Sequence, residues 1–64
     1  MILVEFTQTN GRKVCINLFE IASISENPER GTTNIMTTAT DACWYVRGYI
    51  DTVARALERA MDGE

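Results

Sequence analysis

Two cysteines and a few acidic residues are the side chains of this chain that could support catalysis or bind a metal. The sequence contains no histidine, so histidine-based general bases, metal sites and catalytic triads are absent. Cys15 and Cys43 lie far apart, and neither belongs to a CxxC pair, which disfavours a zinc site. We therefore expect neither a metal nor another cofactor.

The local surroundings of these residues also favour a non-enzymatic protein. Arg12 and Lys13 precede Cys15 closely, but a nucleophilic cysteine needs an orienting base as well as nearby positive charge. Glu26 and Glu29 could act as an acid–base pair, although a solvated loop explains them more simply. We expect no catalytic residue and no enzymatic activity.

The cysteine count and the amino terminus indicate a cytoplasmic protein. Two cysteines do not make a disulfide framework, so Cys15 and Cys43 are predicted to be free thiols in packed positions. One disulfide between them is the alternative. The apolar run that opens the chain is interrupted by Glu5 and lacks a positively charged flank, so we expect neither a leader segment nor membrane insertion.

The chain length indicates a single domain, residues 1–64, whose stability a partner subunit would increase. A domain of this size buries only about 60% of the surface that its unfolded chain exposes, so a lone copy has marginal stability. Small domains usually need a disulfide, a metal or a second subunit. The net charge of −3 disfavours nucleic acid and anionic membranes as partners. We expect a homo-oligomer.

The clearest structural signal is Asn10-Gly11 between two stretches of alternating apolar residues, which predicts a β-hairpin over residues 2–18. Opposed residues must share a face of the sheet. A two-residue loop would place Phe6 opposite Cys15, whereas a three-residue loop places Phe6 opposite Val14. The longer loop collects the apolar side chains on one face, so we predict it, with Gly11 at a positive φ.

Three further strands are predicted, over residues 21–26, 32–38 and 42–47. Pro28 marks the loop before the second of these, because it fixes φ and lacks an N–H group. The strand at 32–38 is half polar on both faces, as expected near a sheet edge, and it carries no charge that would discourage pairing with another chain. Residues 39–41 are predicted to form a short turn.

A helix is predicted over residues 49–61, because apolar residues recur there at helical spacing. The fold class is therefore α+β: a small bent antiparallel sheet or partly open barrel of about five strands, with one C-terminal amphipathic helix. The apolar stripe predicted to face the core consists of Ile50, Val53, Ala54, Leu57 and Met61.

The aromatic residues near the last strand are the main indication of function. Trp44 and Tyr45 are adjacent on one strand and must point to opposite faces, so only one of them can enter the core. Tryptophan and tyrosine are enriched at the centres of protein interfaces. We take Trp44, Tyr45 and Tyr49 as interface candidates, with cross-strand packing within one chain as the alternative.

Short motifs follow one another in a particular order over nearly the whole chain. They are Thr7-x-x-Asn10-Gly11, Ile16-Asn17, Ile21-x-x-Ile24, Glu26-x-Pro28, Thr33-x-Ile35, Val46-Arg47 and Ile50-x-x-Val53. This order resembles the FlbD-type family of small flagellar proteins. The resemblance implies a short bacterial chain of strands with a C-terminal amphipathic segment. It also implies an association with flagellar and swarming gene clusters and no catalytic role.

Taken together, these features predict a non-enzymatic protein-interaction module that forms a homo-oligomer in a bacterial or phage cytoplasm. One alternative is a nucleic-acid-binding β platform that uses Tyr45, Arg47 and the basic pair Arg12-Lys13. A second alternative is a small-ligand-binding protein or an inhibitor of another macromolecule.

Overall fold

The computed structural model describes residues 1–38 and 43–63, which form five strands and one C-terminal helix. The strands make two antiparallel sheets that do not close into a barrel, so the predicted α+β class is confirmed. Within the described residues no helix has the length and apolar content needed to cross a membrane. The elements in chain order are β1 (Leu3–Thr7), β2 (Lys13–Asn17), a 3₁₀ turn (Leu18–Glu20), β3 (Ile21–Asn27), β4 (Thr32–Thr37), β5 (Cys43–Arg47) and α1 (Ile50–Asp62).

Strands β1 and β2 form the predicted hairpin in the predicted register. Val4 lies opposite Ile16, and Phe6 lies opposite Val14. Gln8 N–H donates to the Arg12 carbonyl at 2.7 Å, which closes a three-residue loop. Gly11 has φ +89°, as predicted for a bulge glycine. Asn10 Oδ1 accepts a hydrogen bond from Arg12 N–H at 2.9 Å, so its side chain stabilises the turn.

Replacing Gly11 with alanine is expected to lower the free energy of unfolding by about 1 kcal/mol or more. An added Cβ would meet only the Arg47 guanidinium, at an ordinary 3.6 Å, so the cost comes from the positive φ rather than from a clash. Gly11→Asn should cost less, because asparagine tolerates positive φ better than alanine. Chemical-denaturation midpoints measure both effects, and equal near-zero shifts would contradict the loop assignment.

The third strand departs from the alternation that the sequence predicts. Its pairing with β4 shifts by one residue between Ile21 and Ser23, so this segment contains a β-bulge. Both Ile21 and Ile24 consequently pack against the core, although they are three positions apart. Ala22, which strict alternation would place beside Ile24, is exposed.

The three-stranded sheet has the order β3-β4-β5, so β4 is its central strand and not the predicted edge strand. Thr33 and Ile35 are fully buried in β4. The Thr33 hydroxyl donates to the Gly48 carbonyl at 2.9 Å, and this bond is what allows a polar residue to lie in the core. The predicted turn over residues 39–41 and the first residue of the predicted last strand, Ala42, lie outside the described residues.

Pro28 lies in the β3–β4 turn, as predicted. Arg30 N–H donates to the Asn27 carbonyl at 3.1 Å, so Pro28 occupies the second position of a β-turn, where its fixed φ is favourable. Gly31 follows with φ +64° and donates its N–H to the Pro28 carbonyl at 3.3 Å. Arg30 therefore belongs to a turn whose backbone is held by two hydrogen bonds.

The end of the first hairpin joins the two sheets where it meets β5. Gln8 forms an isolated antiparallel bridge with Val46, and Thr9 N–H donates to the Tyr45 carbonyl at 3.0 Å. The shared core lies between the sheets and the helix. Its buried apolar residues are Val4, Phe6, Ile16, Leu18, Ile35, Val46 and Val53.

Helix α1 faces the core with a different stripe from the predicted one. Val53 is buried and Leu57 is half-buried against the core, as predicted, but Met61 is 56% exposed, so its predicted core position is wrong. Ala56 and Ala60 pack against the core instead, and neither Ile50 nor Ala54 belongs to the core cluster. Gly48 precedes the helix with φ +111°; its carbonyl accepts a hydrogen bond from the Thr33 hydroxyl, and its N–H donates to the Gly31 carbonyl.

Candidate interaction surface

The residues with catalytic potential do not converge in the structure. Both cysteines are free, but Cys15 is exposed on β2, so its predicted packed position is wrong, whereas Cys43 is half-buried. Glu26 and Glu29 are both exposed to solvent. In the part of the chain that the structure describes, no group of three or more Cys, Asp and Glu side chains could hold a metal ion.

The surface that stands out is the side of the three-stranded sheet that faces away from the helix. Cross-strand register defines three rows on this side, and the two rows without a charged residue are together called the outer face below. None of their members is charged, although charged residues make up 23% of the chain. One row is Ser23, Met36 and Cys43, and the other is Ser25, Asn34 and Tyr45.

The two adjacent aromatic residues of β5 are divided between the faces, as strand geometry requires. Trp44 pairs with Ile35 and packs against the core, half-buried. Tyr45 projects from the outer face and is 54% exposed. Met36, on the neighbouring strand, is 40% exposed on the same face. Tyr45 is therefore the interface candidate that the structure places on an open sheet surface.

Asn34, at the middle of the outer face, has an unpaired side-chain acceptor. Its Oδ1 atom is buried and has no hydrogen-bond partner within the described residues. Asn34 lies between Ser25 on β3 and Tyr45 on β5 in the register. A buried acceptor without a partner costs free energy, so a group that donates to it would be stabilising.

A depression of about 520 Å³ adjoins the outer face at one end, and it is called the arginine depression below. The row Asn27, Thr32 and Arg47 continues the outer face into it. Thr9 of the hairpin and the β3–β4 turn complete its walls. The lining residues are Thr9, Asn27, Arg30, Gly31, Thr32 and Arg47.

Arg47 reaches across the arginine depression to the first hairpin. Its Nη2 atom donates to the Thr9 carbonyl at 3.4 Å and lies close to Gly11. Arg30 approaches from the β3–β4 turn. Among residues 1–38 and 43–63 the one ion pair joins Lys13 Nζ to Glu5 Oε1 at 3.2 Å, so neither arginine has a carboxylate partner there.

The other residues predicted to take part in binding lie elsewhere or serve the fold. Tyr49 is exposed at the start of α1, and its ring approaches the Gly31 backbone so closely that a Cβ added to Gly31 would lie 3.6 Å from Cζ. Arg12 and Lys13 lie at the end of the first hairpin, and Lys13 is paired with Glu5. Sequence reasoning missed the position of Arg30, because it is the β4–β5 register, in which Thr32 pairs with Arg47, that brings the β3–β4 turn beside Arg47.

Comparison of the chain with known proteins found no relative. No protein-family model, no curated protein and no solved structure matches the chain.

Proposed function

We propose that this chain is a non-enzymatic protein-interaction module that binds other proteins through its outer face, and that a second copy of itself is its first partner. The observation that carries the proposal is the uncharged outer face with Tyr45 and Met36 exposed on it. Charged residues are depleted at the centres of protein interfaces, whereas tyrosine and methionine are enriched there.

The size of the exposed surface supports this proposal. The chain exposes 4497 Å², whereas the scaling for folded monomers of 7.2 kDa gives about 4,100 Å². A 64-residue chain has little stability to spare, so covering exposed aromatic and apolar side chains against a partner is favourable.

The predicted cytoplasmic location agrees with two free thiols, which are usual in reducing compartments.

Two-fold symmetry is the simplest arrangement for a second copy. In a two-fold dimer the same patch from both copies meets itself, and two sheets then pack face to face. An axis near the middle of the outer face would cover the exposed Tyr45 and Met36 side chains of both copies.

Tyr45→Lys is expected to abolish self-association, because it places a charge at the centre of an apolar contact. Sedimentation equilibrium across micromolar concentrations should give a dimer mass for the native chain and a monomer mass for this variant. Phe19→Lys is the matched control, because Phe19 is an exposed aromatic residue of the 3₁₀ turn and does not belong to the outer face. It should leave the dimer mass unchanged.

Two outcomes would contradict the proposed dimer. One is a native chain that sediments as a monomer at every concentration with a melting temperature independent of concentration. The other is a dimer that Phe19→Lys dissociates and Tyr45→Lys does not, which would move the contact away from the outer face.

Nucleic acid is the second candidate partner, because the structure brings Tyr45 and Arg47 onto the same side of β5. A fluorescence-anisotropy titration with single-stranded and duplex oligonucleotides at low salt tests it. Submicromolar binding that weakens with salt would favour this candidate over protein binding.

The resemblance to FlbD-type proteins adds a more specific prediction, an association with flagellar and swarming gene clusters. Linkage of the gene to flagellar genes is the observation that would support this association. Linkage to phage genes would instead favour a phage protein.

A further inference from the structure

The arginine depression combines two guanidinium groups with neutral polar groups on a chain whose net charge is negative. We propose that it binds the carboxylate groups of an acidic segment of a partner protein. This inference rests on the proposed function only in taking the partner to be a protein, and it names the chemistry by which that partner is recognised.

The two arginines are presented by backbone segments that are themselves fixed. Arg47 belongs to β5 and donates to the Thr9 carbonyl, while Thr9 N–H is bound to the Tyr45 carbonyl. Arg30 lies in the turn held by hydrogen bonds to the Asn27 and Pro28 carbonyls. Because a guanidinium has five N–H donors, Arg47 keeps donors for a ligand after bonding Thr9.

The chemistry of the walls fits a carboxylate. A guanidinium binds a carboxylate through two parallel hydrogen bonds, and such charge-assisted bonds are among the strongest that side chains make. The Thr9 and Thr32 hydroxyls and the Asn27 amide can donate to further oxygen atoms. Among residues 1–38 and 43–63 no carboxylate forms an ion pair with either arginine.

The distribution of charge favours a short acidic peptide over a phosphate backbone. Nucleic-acid binding needs a row of lysines and arginines that follows successive phosphates. Here the depression contributes two arginines, the nearby hairpin contributes Arg12, and Lys13 is already paired with Glu5. The net charge of −3 opposes a long polyanion but permits a local contact. The depression also continues the outer face, so a protein that covers Tyr45 can reach it.

The test is a titration of the full chain with a fluorescein-labelled, end-blocked peptide that contains three consecutive acidic residues, followed by fluorescence anisotropy. The neutral peptide with glutamine and asparagine at those positions is the first comparison. We expect the acidic peptide to bind at least about tenfold more tightly, which corresponds to the loss of one or more charge-assisted hydrogen bonds in the neutral peptide.

Arg47→Gln and Arg30→Gln should each weaken binding of the acidic peptide about tenfold. Arg55→Gln is the matched control, because Arg55 is an exposed arginine of α1 and does not line the depression. It removes the same charge from the chain and should leave the affinity within about twofold, since exposed charges at a distance are screened by salt. Amide resonances of Thr9, Gly31 and Thr32 should shift on peptide addition.

Equal affinity for the acidic and neutral peptides would overturn the inference, as would equal losses in Arg47→Gln and Arg55→Gln. An oligothymidine of matched length that competes more strongly than the acidic peptide would reassign the depression to phosphate groups. The Tyr45→Lys variant separates this inference from the proposed function. If the native chain sediments as a monomer but Tyr45→Lys still binds the acidic peptide, the dimer proposal fails and the carboxylate site is supported.

Discussion

Ile35→Ala should destabilise this protein by about 2–5 kcal/mol, the range found when large aliphatic side chains are truncated in a packed core. Ile35 is fully buried in the central strand, where its register neighbours are Ile24 and Trp44. A domain of 64 residues typically has about 3–10 kcal/mol of stability in total. We therefore expect Ile35→Ala to populate the unfolded state at room temperature.

Leu3→Ala is the matched control for this prediction, since it removes the same number of carbon atoms from another strand. Leu3 lies in β1 and is 55% exposed, so its loss should cost only a few tenths of a kcal/mol. Guanidinium denaturation followed by circular dichroism measures both variants at one chain concentration, because self-association would otherwise change the apparent stability. Similar midpoints for the two variants would contradict the position of β4 at the centre of the sheet.

Leu57→Ala is expected to cost about 2 kcal/mol, the lower end of the range for leucine truncation, because Leu57 is half-buried against the core. Loss of this contact would weaken the packing of α1 on the sheets. A helix of 13 residues is marginal in water without such packing, so helix content should fall together with tertiary structure.

Met61→Ala distinguishes the observed orientation of the helix from the one that the apolar pattern predicts. Met61 lies one turn beyond Leu57 in the predicted stripe but is exposed, so its truncation should change stability by less than about 0.5 kcal/mol. Arg55→Ala, on the exposed side of α1, should also cost only a few tenths of a kcal/mol. Equal losses in Leu57→Ala and Met61→Ala would indicate that the helix packs through the predicted stripe.

The turn and the loop length of the first hairpin could be predicted from the sequence, because local rules of backbone geometry determine them. Asn10-Gly11 located the turn, and the requirement that Phe6 and Val14 share a face determined the loop length. Both conclusions depend only on strand geometry and on positive φ at glycine, so they need no knowledge of distant contacts. The same reasoning failed in β3, because a single bulge residue changes which side chains face inward.

The position of β4 could not be predicted, because the hydroxyl of its buried residue Thr33 is satisfied by a distant partner. Thr33 shares a face of the strand with Ile35, and this mixture of polar and apolar side chains suggested an edge strand with both faces partly exposed to solvent. In the structure Thr33 is buried, since its hydroxyl bonds the Gly48 carbonyl 15 positions further along the chain. Such a long-range hydrogen bond turns a polar residue into a core residue and leaves no signal in the local pattern.

The sequence by itself determined the fold class, the first hairpin and its register, the turn at Pro28 and the presence of the C-terminal helix. Each of these follows from backbone conformation or from the period of apolar residues, which are local properties. Only the tertiary structure decided the strand order, the face of α1 that packs on the core and the placement of Arg30 and Arg47 around one depression. These features depend on contacts between elements distant in the chain, because strand order and helix packing minimise exposed apolar area and unpaired polar groups over the whole molecule.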